Sequence, residues 1–177
     1  MGAFKAYDIR GIYNVDFNKD TVYKIGYFLP KLLKSKAVLV GRDVRTSSDE
    51  IFEALSRGIM DSGADVWTIG LATTPMVYFA TVHFKADASV QITASHNPAE
   101  YNGLKISRTN AVPVGSDSGL KELEAMVLND EIVPSRKKGK IIKKEARNAY
   151  IDFLKAFTPD TSDLNLSIDF SHGMANL

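Results

Sequence analysis

Short apolar runs alternate with amphipathic stretches along most of the chain, and this alternation constrains the fold more than any other feature. Residues 21–34 carry apolar side chains at helical spacing, which predicts a helix with one face against a core. Residues 37–40 then form an apolar run that ends at Gly41, as expected of a strand buried on both faces. The repeating order of strand and helix predicts a three-layer α/β/α domain with a mixed, mostly parallel sheet.

Two sites along the chain carry the signals of a helix start. Ser47, followed three residues later by Glu50, has the pattern of a capping box, in which each side chain bonds a free amide of the first turn. Thr74 and Pro75 predict a second start, with the threonine as the N-cap and the proline in the first turn. Two more helices are predicted over residues 119–128 and 145–157.

Three further strands are predicted over residues 65–69, 88–93 and 104–107. Only a polar loop separates the last two, so we expect them to be antiparallel, which makes the sheet mixed. The segment 134–144 contains six Lys or Arg residues. We interpret it as a solvated turn or an edge hairpin rather than a binding patch.

The last residues indicate a domain boundary. Residues 158–162 have the composition of a linker, 164–170 predict a strand, and 171–175 predict a turn into a helix. We therefore expect a first domain over residues 1–157, and over 158–177 a linker and the incomplete start of a second, similar domain.

The composition excludes several classes of protein. Lys and Arg number 22 against 21 Asp and Glu, so no strongly basic character points to nucleic acid. The absence of cysteine excludes a disulfide framework and any thiolate site. No apolar run reaches the length that crosses a bilayer. We expect a soluble cytoplasmic protein with no nucleic-acid or membrane partner.

The segments 93–98 and 101–105 contain the side chains that best suit chemistry. We predict a loop between two strands, in which Asn102 and Gly103 supply a tight hairpin turn. Such a loop would present Ser95, His96 and Lys105 at the edge of the sheet. A hydroxyl, an imidazole and an ammonium held together can transfer a phosphoryl group, because they supply an acceptor, a proton carrier and a cation.

Two other interpretations of this loop remain open from the residues alone. The first is an ordinary turn in which Ser95 bonds nearby backbone amides. The second is a serine hydrolase, which the residues favour less. Adjacent residues of an extended segment point in opposite directions, so His96 would be badly placed to deprotonate Ser95. The G-x-S-x-G elbow is also absent from the loop.

These two segments resemble the phosphoserine loop of the α-D-phosphohexomutases, the family of phosphoglucomutases and phosphomannomutases. Three further segments resemble motifs of the same family and occur in the same order and spacing. They are Tyr7-Asp8-Ile9-Arg10-Gly11, Gly41-Arg42-Asp43-Val44-Arg45-Thr46-Ser47 and Thr73-Thr74-Pro75.

The resemblance implies a role for each matched residue. Ser95 would carry a phosphoryl group, donate it to a hexose phosphate, and take back the other phosphoryl group of the resulting hexose 1,6-bisphosphate. Arg10 would contact the phosphoserine and stabilise charge in the transition state. Lys105 and His96 would assist proton transfer.

The resemblance also implies ligands and partners. Tyr7, Asn97 and Asn102 would contact phosphate or substrate together with Arg10, and an oxygen of the phosphate on Ser95 would coordinate Mg²⁺. The substrates would be mannose or glucose 1- and 6-phosphates, with the hexose 1,6-bisphosphate as activating intermediate. We interpret three residues of the second motif as a structural ion-pair network: Arg42, Asp43 and Arg45. Thr74 is interpreted as a cap rather than a ligand.

Three motifs of the family do not occur in the chain: the metal loop, the sugar-specificity loop and the phosphate-binding loop of its other domains. The match covers the first domain, roughly the first third of a full mutase. We therefore expect the remaining mutase domains as partners, and no useful mutase activity from these 177 residues alone. The alternative is a non-catalytic module, derived from such an enzyme, that bears a phosphoserine or binds a sugar phosphate.

Overall fold

A computed structural model describes residues 2–171 and 173–174 of the chain. It contains a seven-stranded sheet and five α-helices within this part. In chain order the elements are β1 (Ile9–Ile12), α1 (Lys19–Leu33), β2 (Ala37–Arg42), α2 (Ser48–Asp61), β3 (Asp65–Leu71), α3 (Thr74–His83), β4 (Ala88–Ile92), β5 (Tyr101–Arg108), β6 (Val112–Pro113), α4 (Leu120–Asn129), β7 (Ile141–Lys143) and α5 (Arg147–Lys155).

The sheet is mixed, as the sequence predicts. Its strand order is β1-β5-β4-β2-β3-β7, and β6 pairs with β5. The pairs β2–β3, β2–β4 and β3–β7 are parallel. The pairs β1–β5, β4–β5 and β5–β6 are antiparallel, which confirms the predicted antiparallel pairing of the third and fourth predicted strands.

The predicted three-layer architecture is confirmed by the two faces of β2. Val38 and Val40 belong to a large core that also contains buried residues of α1, α2 and α4. Leu39, between them, belongs to a smaller core with α3 and with Tyr150 of α5. Successive side chains of a strand point to opposite faces, so both faces of this strand are covered by helices.

The helices α1 and α2 approach each other closely through two glycines. A Cβ atom on Gly26 would lie 2.3 Å from the carbonyl oxygen of Leu55, and one on Gly58 would lie 2.1 Å from that of Tyr23. No side chain fits at either position. The two glycines therefore set the spacing of the layer that covers the large core.

Both predicted helix starts need correction. Ser47 precedes α2, but its side chain makes no capping hydrogen bond, so the capping box with Glu50 is wrong. The Ser47 hydroxyl instead accepts a hydrogen bond from Asn102. At α3 the N-cap is Thr73, whose side chain accepts from the amide of Met76, and Thr74 is the first helical residue.

The tight turn predicted at Asn102 and Gly103 is also wrong. Both residues lie inside β5, which starts at Tyr101, and they pair with Gly11 and Arg10 of β1. The sequence patterns predict no strand at β1, β6 or β7. Residues 134–144 do not form a hairpin; they contribute β7, an edge strand parallel to β3.

The strand predicted over residues 164–170 does not form. These residues are exposed and have no hydrogen-bonded neighbouring strand. The predicted turn over 171–175 includes His172 and Ala175, which lie outside the described residues. Among the described helices, none combines the length and apolar character needed to cross a bilayer.

Candidate active site

The order in which the strands are added to the sheet changes direction at β2. The strands β3 and β4 lie on either side of β2 and run parallel to it. The connecting helices α2 and α3 pack in the two different cores, so the carboxyl ends of all three strands meet at a topological switch point. Ligands of open α/β sheets bind outside the strand ends at such points.

A cavity of about 650 Å³ lies at this switch point. The loops after the three strands contribute most of its lining, with residues 43–46 after β2, 72–74 after β3, and 93, 95–97 and 99 after β4. Gln91 lines it as well, and the Gln91 Oε1 atom is buried without a hydrogen-bond partner in the described part of the chain. Ser95, His96 and Asn97 all lie on the wall of this cavity.

Ser95 occupies an unusual backbone conformation at the cavity. Its φ angle is 57°, in the left-handed region that non-glycine residues rarely adopt, and its amide donates to the Thr93 hydroxyl at 2.9 Å. Such strain persists only where surrounding contacts hold it, and it concentrates at functional sites. The Ser95 side chain is exposed rather than enclosed in the core.

The left-handed turn brings Ser95 and His96 together. Ser95 Oγ and His96 Nδ1 lie 3.4 Å apart. The argument that adjacent side chains point apart is therefore wrong here, because the segment is turned at Ser95 and not extended. A third group that orients the histidine, which a hydrolase needs, is not seen, since no described hydrogen bond joins His96 to a carboxylate.

Arg45 holds the serine loop from the neighbouring strand end. Its guanidinium donates to four main-chain carbonyl oxygens, those of Ser95 at 3.0 Å, Asn97 at 2.6 Å, Pro98 at 2.7 Å and Tyr101 at 3.0 Å. The rigid, planar fork of arginine suits several acceptors at once. The structural role predicted for Arg45 agrees with these contacts, but its main partner is the Ser95 loop.

Asp43 and Ser48 complete the support under Arg45. Asp43 lies 3.3 Å from the Arg45 Nε atom and accepts a hydrogen bond of 2.6 Å from the Ser48 hydroxyl. Arg42 pairs separately with Asp49 at the surface. Asp43 is buried, and its negative charge is compensated there by the Arg45 guanidinium and the Ser48 hydroxyl.

Asn102 belongs to the support of the loop and does not line the cavity. It is fully buried, and its amide nitrogen donates to the hydroxyls of Ser47 at 2.8 Å and Ser48 at 3.1 Å. Its side-chain oxygen accepts from the amide of Gly103. A substrate cannot reach it in this arrangement, so we withdraw Asn102 from the predicted substrate contacts.

The other predicted site residues line a second, smaller cavity of about 360 Å³, formed by residues that include Tyr7, Asp8, Arg10 and Lys105. Asp8 is nearly buried and pairs with both cations, through a close contact with Arg10 Nη2 and a distance of 3.4 Å from Lys105 Nζ. Tyr7 is 81% exposed.

One hydrogen bond joins the two cavities. Arg10 Nη1 donates to Asn97 Oδ1 at 3.0 Å, so β1 and the serine loop are in direct contact. The Arg10 Nε atom is buried and has no partner among the described residues. Neither Arg10 nor Lys105 bonds Ser95 itself in the described structure. The predicted residues therefore form two adjacent groups, with Asn97 and Arg10 as the link.

Sequence reasoning missed part of the cavity lining. Thr73 and Thr74 line the cavity from the start of α3, and Gln91 lines it from inside β4. The threonines carried a signal, since they follow a predicted strand, and the carboxyl ends of neighbouring parallel strands share one edge. Nothing in the local sequence marks Gln91, because a glutamine within an apolar run has no periodic signature.

The donor set of the described residues does not fit a complete Mg²⁺ site. Mg²⁺ prefers six oxygen ligands in octahedral geometry, usually with carboxylates among them. No group of three or more His, Cys, Asp or Glu side chains that could hold a metal occurs within residues 2–171 and 173–174. Asp43 lines the cavity, but Arg45 and Ser48 already bind it. The predicted ligation through a phosphate on Ser95 stays a prediction.

Fold and site together define a doubly wound α/β domain that presents a strained, exposed serine at its topological switch point. Residues 1–132 match the family model of the phosphoglucomutase/phosphomannomutase α/β/α domain I. The chain is 40% identical over 154 residues to a phosphomannomutase of Klebsiella pneumoniae, a match that covers 86% of this chain and 98% of the relative. The chain therefore belongs to the phosphoglucomutase/phosphomannomutase family.

Longer relatives extend well beyond the matched region. A phosphomannomutase of Escherichia coli is 38% identical over 180 residues, which cover 99% of this chain and 40% of the relative. A crystal structure of a phosphoglucomutase/phosphomannomutase family protein from Burkholderia thailandensis superposes with a TM-score of 0.76 at 28% identity. That match covers 85% of this chain and 34% of the other. The chain thus spans about 40% of the length of the Escherichia coli relative.

Proposed function

We propose that the chain is the phosphoserine-bearing part of a phosphohexose mutase, with Ser95 Oγ as the atom that accepts and returns the phosphoryl group. One observation carries this proposal: the exposed, left-handed Ser95 stands at the switch-point cavity, on a loop that Arg45 holds by four carbonyl oxygens. Geometry fixed in this way suits phosphoryl transfer, in which positioning supplies much of the catalysis.

The transfer forms one bond and breaks one bond. A bond forms between Ser95 Oγ and phosphorus, and the bond between phosphorus and the sugar oxygen breaks. Oγ loses a proton, and the departing sugar oxygen needs one. His96 Nδ1, 3.4 Å from Oγ, can accept that proton in the tautomer that carries its own hydrogen on Nε2, and can return it in the reverse transfer.

The adjoining cations suit the negative charge of the transferred group. Arg10 reaches the serine loop through Asn97, and 25% of its side chain is exposed. We propose that Arg10 and Asn97 contact the phosphoryl group, and that Lys105 and Tyr7 contact the rest of the sugar phosphate from the smaller cavity. Cations and donors aimed at the transferring group stabilise charge that develops in the transition state.

The substrates that we propose are hexose phosphates of the mannose or glucose series, turned over through a hexose 1,6-bisphosphate in the cytoplasm. The cavity is open, and the described residues supply only one side of a site for a sugar with two phosphate groups. We therefore propose that the isolated chain does not turn over substrate. An assay of the chain alone with glucose 1-phosphate tests this, and robust formation of glucose 6-phosphate would contradict it.

Intact-mass spectrometry tests the function itself. The chain, in a protein that also contains the remaining mutase domains, is incubated with a hexose 1,6-bisphosphate, and its mass is compared with that of the Ser95→Ala variant. We expect the wild type to gain one phosphoryl group and the variant none. A matched control is Ser116→Ala, an accessible serine far along the chain, which should gain the group as the wild type does. Equal uptake by Ser95→Ala would contradict the proposal.

A second candidate function is a module that bears phosphoserine without turnover. Such a module needs no metal-binding cluster, and none occurs among the described residues. The two functions differ in what happens after Ser95 is phosphorylated. A mutase domain passes its phosphoryl group to a hexose monophosphate when the rest of the enzyme is present, whereas a module keeps it.

A further inference from the structure

A further cavity, of about 570 Å³, lies at the opposite edge of the sheet from Ser95. It is found at the amino ends of β2 and β3, which begin at Ala37 and Asp65, whereas the serine cavity lies at their carboxyl ends. Four lysines line it: Lys31, Lys34, Lys36 and Lys137. We propose that this lysine cleft is an anion-binding site for a compact oligophosphate.

The lining contains cations and hydroxyls but no acid. Besides the lysines it includes Ser35, Ser62 and Ser135, and no Asp or Glu is among the lining residues. All four lysines are exposed, and none forms an ion pair with a carboxylate in the described structure. The chain as a whole is almost neutral, so the excess of positive charge in the lysine cleft is local.

The lysines are not needed to cap the two helices that end here. The carbonyl of Pro30 at the end of α1 already accepts from the amides of Lys34 and Ser35. At the end of α2, the carbonyl of Met60 accepts from Gly139, and that of Asp61 accepts from Ser135. Because backbone donors satisfy these carbonyls, the ammonium groups keep their capacity for an external anion.

The segment that presents Lys137 is held firmly in place. A Cβ atom on Gly139 would lie 1.8 Å from the carbonyl oxygen of Ala64, so the chain there packs directly against the α2–β3 connection. The neighbouring Lys138 is neutralised by Asp61 at 2.7 Å, whereas Lys137 faces the cleft. This segment was interpreted from sequence as a solvated turn, but its lysines have two different environments.

Lys31 is also fixed before any ligand binds. Its Nζ atom lies 2.6 Å from the hydroxyl of Tyr27 and 4.0 Å from the centre of that ring. The Tyr27 hydroxyl is itself bound to the main chain of Val133. A cation held in this way loses less side-chain entropy on binding than a free lysine does.

The chemistry of the lining selects the class of ligand. Lysines act as point charges for phosphate, and four of them, three from residues 31–36 and one at position 137, suit a ligand with several phosphoryl groups. The lining contains neither aromatic rings nor arginine, which single-stranded nucleic acids use for base stacking. The structure therefore favours a short linear phosphate without a base.

Backbone NMR of the 19.5 kDa chain, titrated with tripolyphosphate at physiological salt, tests the site directly. We expect saturable shift changes at the amides of residues 34–36, 62–64 and 135–138. A triple variant with Lys34→Gln, Lys36→Gln and Lys137→Gln should bind about tenfold more weakly, because each lost charge contributes a fraction of a kcal/mol.

The matched control removes the same charge elsewhere, by Lys85→Gln, Lys121→Gln and Lys155→Gln. Lys85 has a φ of 53°, close to the 54° of Lys34, so each triple variant replaces one residue in the left-handed backbone conformation. The control should bind as the wild type does. Equal weakening in both variants, shifts centred on residues 43–46 and 93–97, or no saturable binding by the wild type would each overturn the proposal.

Discussion

Arg45 Nη2 donates a hydrogen bond to the main-chain oxygen of Ser95 at 3.0 Å, across a separation of 50 residues. This contact joins the carboxyl end of β2 to the loop after β4. Three further bonds from the same guanidinium fix the loop as far as Tyr101. The position of the Ser95 hydroxyl thus depends on a residue that takes no part in the proposed transfer, and Arg45 is a positioning residue.

Replacing Arg45 with lysine should loosen the loop without unfolding the domain. Lysine keeps the charge but cannot reach four carbonyl oxygens at once. We expect amides of residues 94–101 to exchange hydrogen faster and phosphoryl uptake at Ser95 to slow by about tenfold, since charged hydrogen bonds contribute roughly 1.5–3 kcal/mol. Arg42→Lys is the matched control, because Arg42 pairs with Asp49 and its side chain forms no hydrogen bond with the loop in the described structure. Equal effects of both changes would contradict the positioning role.

Asn102→Ala should destabilise the domain by about 1–3 kcal/mol, because it leaves the buried Ser48 hydroxyl, the partly buried Ser47 hydroxyl and the Gly103 amide without this partner. Chemical denaturation gives the free energy of unfolding. Asn129→Ala is the control, since Asn129 is exposed and bonds only the carbonyl of Ala125. If the two changes lower the free energy of unfolding equally, the support of the serine loop does not depend on Asn102.

Gly58→Ala should lower the stability although alanine is the better helix former. Helix propensity favours alanine by about 1 kcal/mol. The new methyl group would lie 2.1 Å from the carbonyl of Tyr23, and overpacking of this kind costs about 1–3 kcal/mol. We expect a lower melting temperature, by calorimetry, than for Gly2→Ala, where the nearest atom is 3.9 Å away. An unchanged melting temperature would show that the two helices can separate freely.

Asp61 should make the stability depend on pH. Burial acts to raise the pKa of Asp61, but hydrogen bonds from Lys138 and Tyr23 outweigh it and hold the pKa below that of a free aspartate. A lowered folded-state pKa means that the ionised carboxylate stabilises the fold above its unfolded pKa, and that this contribution is lost as pH falls through the folded pKa.

Asp61→Asn should therefore destabilise the domain at neutral pH by about 1–2 kcal/mol, and the difference from the wild type should shrink in acid. Urea denaturation at a series of pH values measures it. Asp117→Asn is the control, because this carboxylate is fully exposed and its loss should leave the stability almost unchanged. A difference between wild type and Asp61→Asn that is constant with pH would contradict the ionic origin.

The sequence was informative where a pattern is local. Apolar periodicity predicted the helices and the buried strands, and the loop around Ser95 was identified together with its antiparallel flanking strands. Local patterns gave wrong predictions where the hydrogen-bonding partner lies far away in the sequence. Ser47 and Glu50 have the spacing of a capping box, yet the Ser47 hydroxyl bonds Asn102, 55 residues away. Local spacing cannot reveal that a tertiary partner competes for the same hydroxyl.

The errors at the candidate site have the same cause. Asn102 and Gly103 have the composition of a turn, but pairing with β1, and a hydrogen bond from the Thr93 amide to the Gly103 carbonyl, keep the chain extended there. The turn falls instead at Ser95, whose positive φ angle is maintained by Arg45 and Thr93. Those contacts arise only once three strand ends meet, so the geometry of the serine required the structure.

The most direct test of the central claim is to locate the phosphoryl group by peptide-level mass spectrometry after a protein that joins the chain to the remaining mutase domains is incubated with a hexose 1,6-bisphosphate. We predict that the modified peptide contains Ser95 and that fragmentation assigns the phosphate to the oxygen of this residue. Phosphate on another residue, or a chain that stays unmodified while it remains folded, would contradict the account.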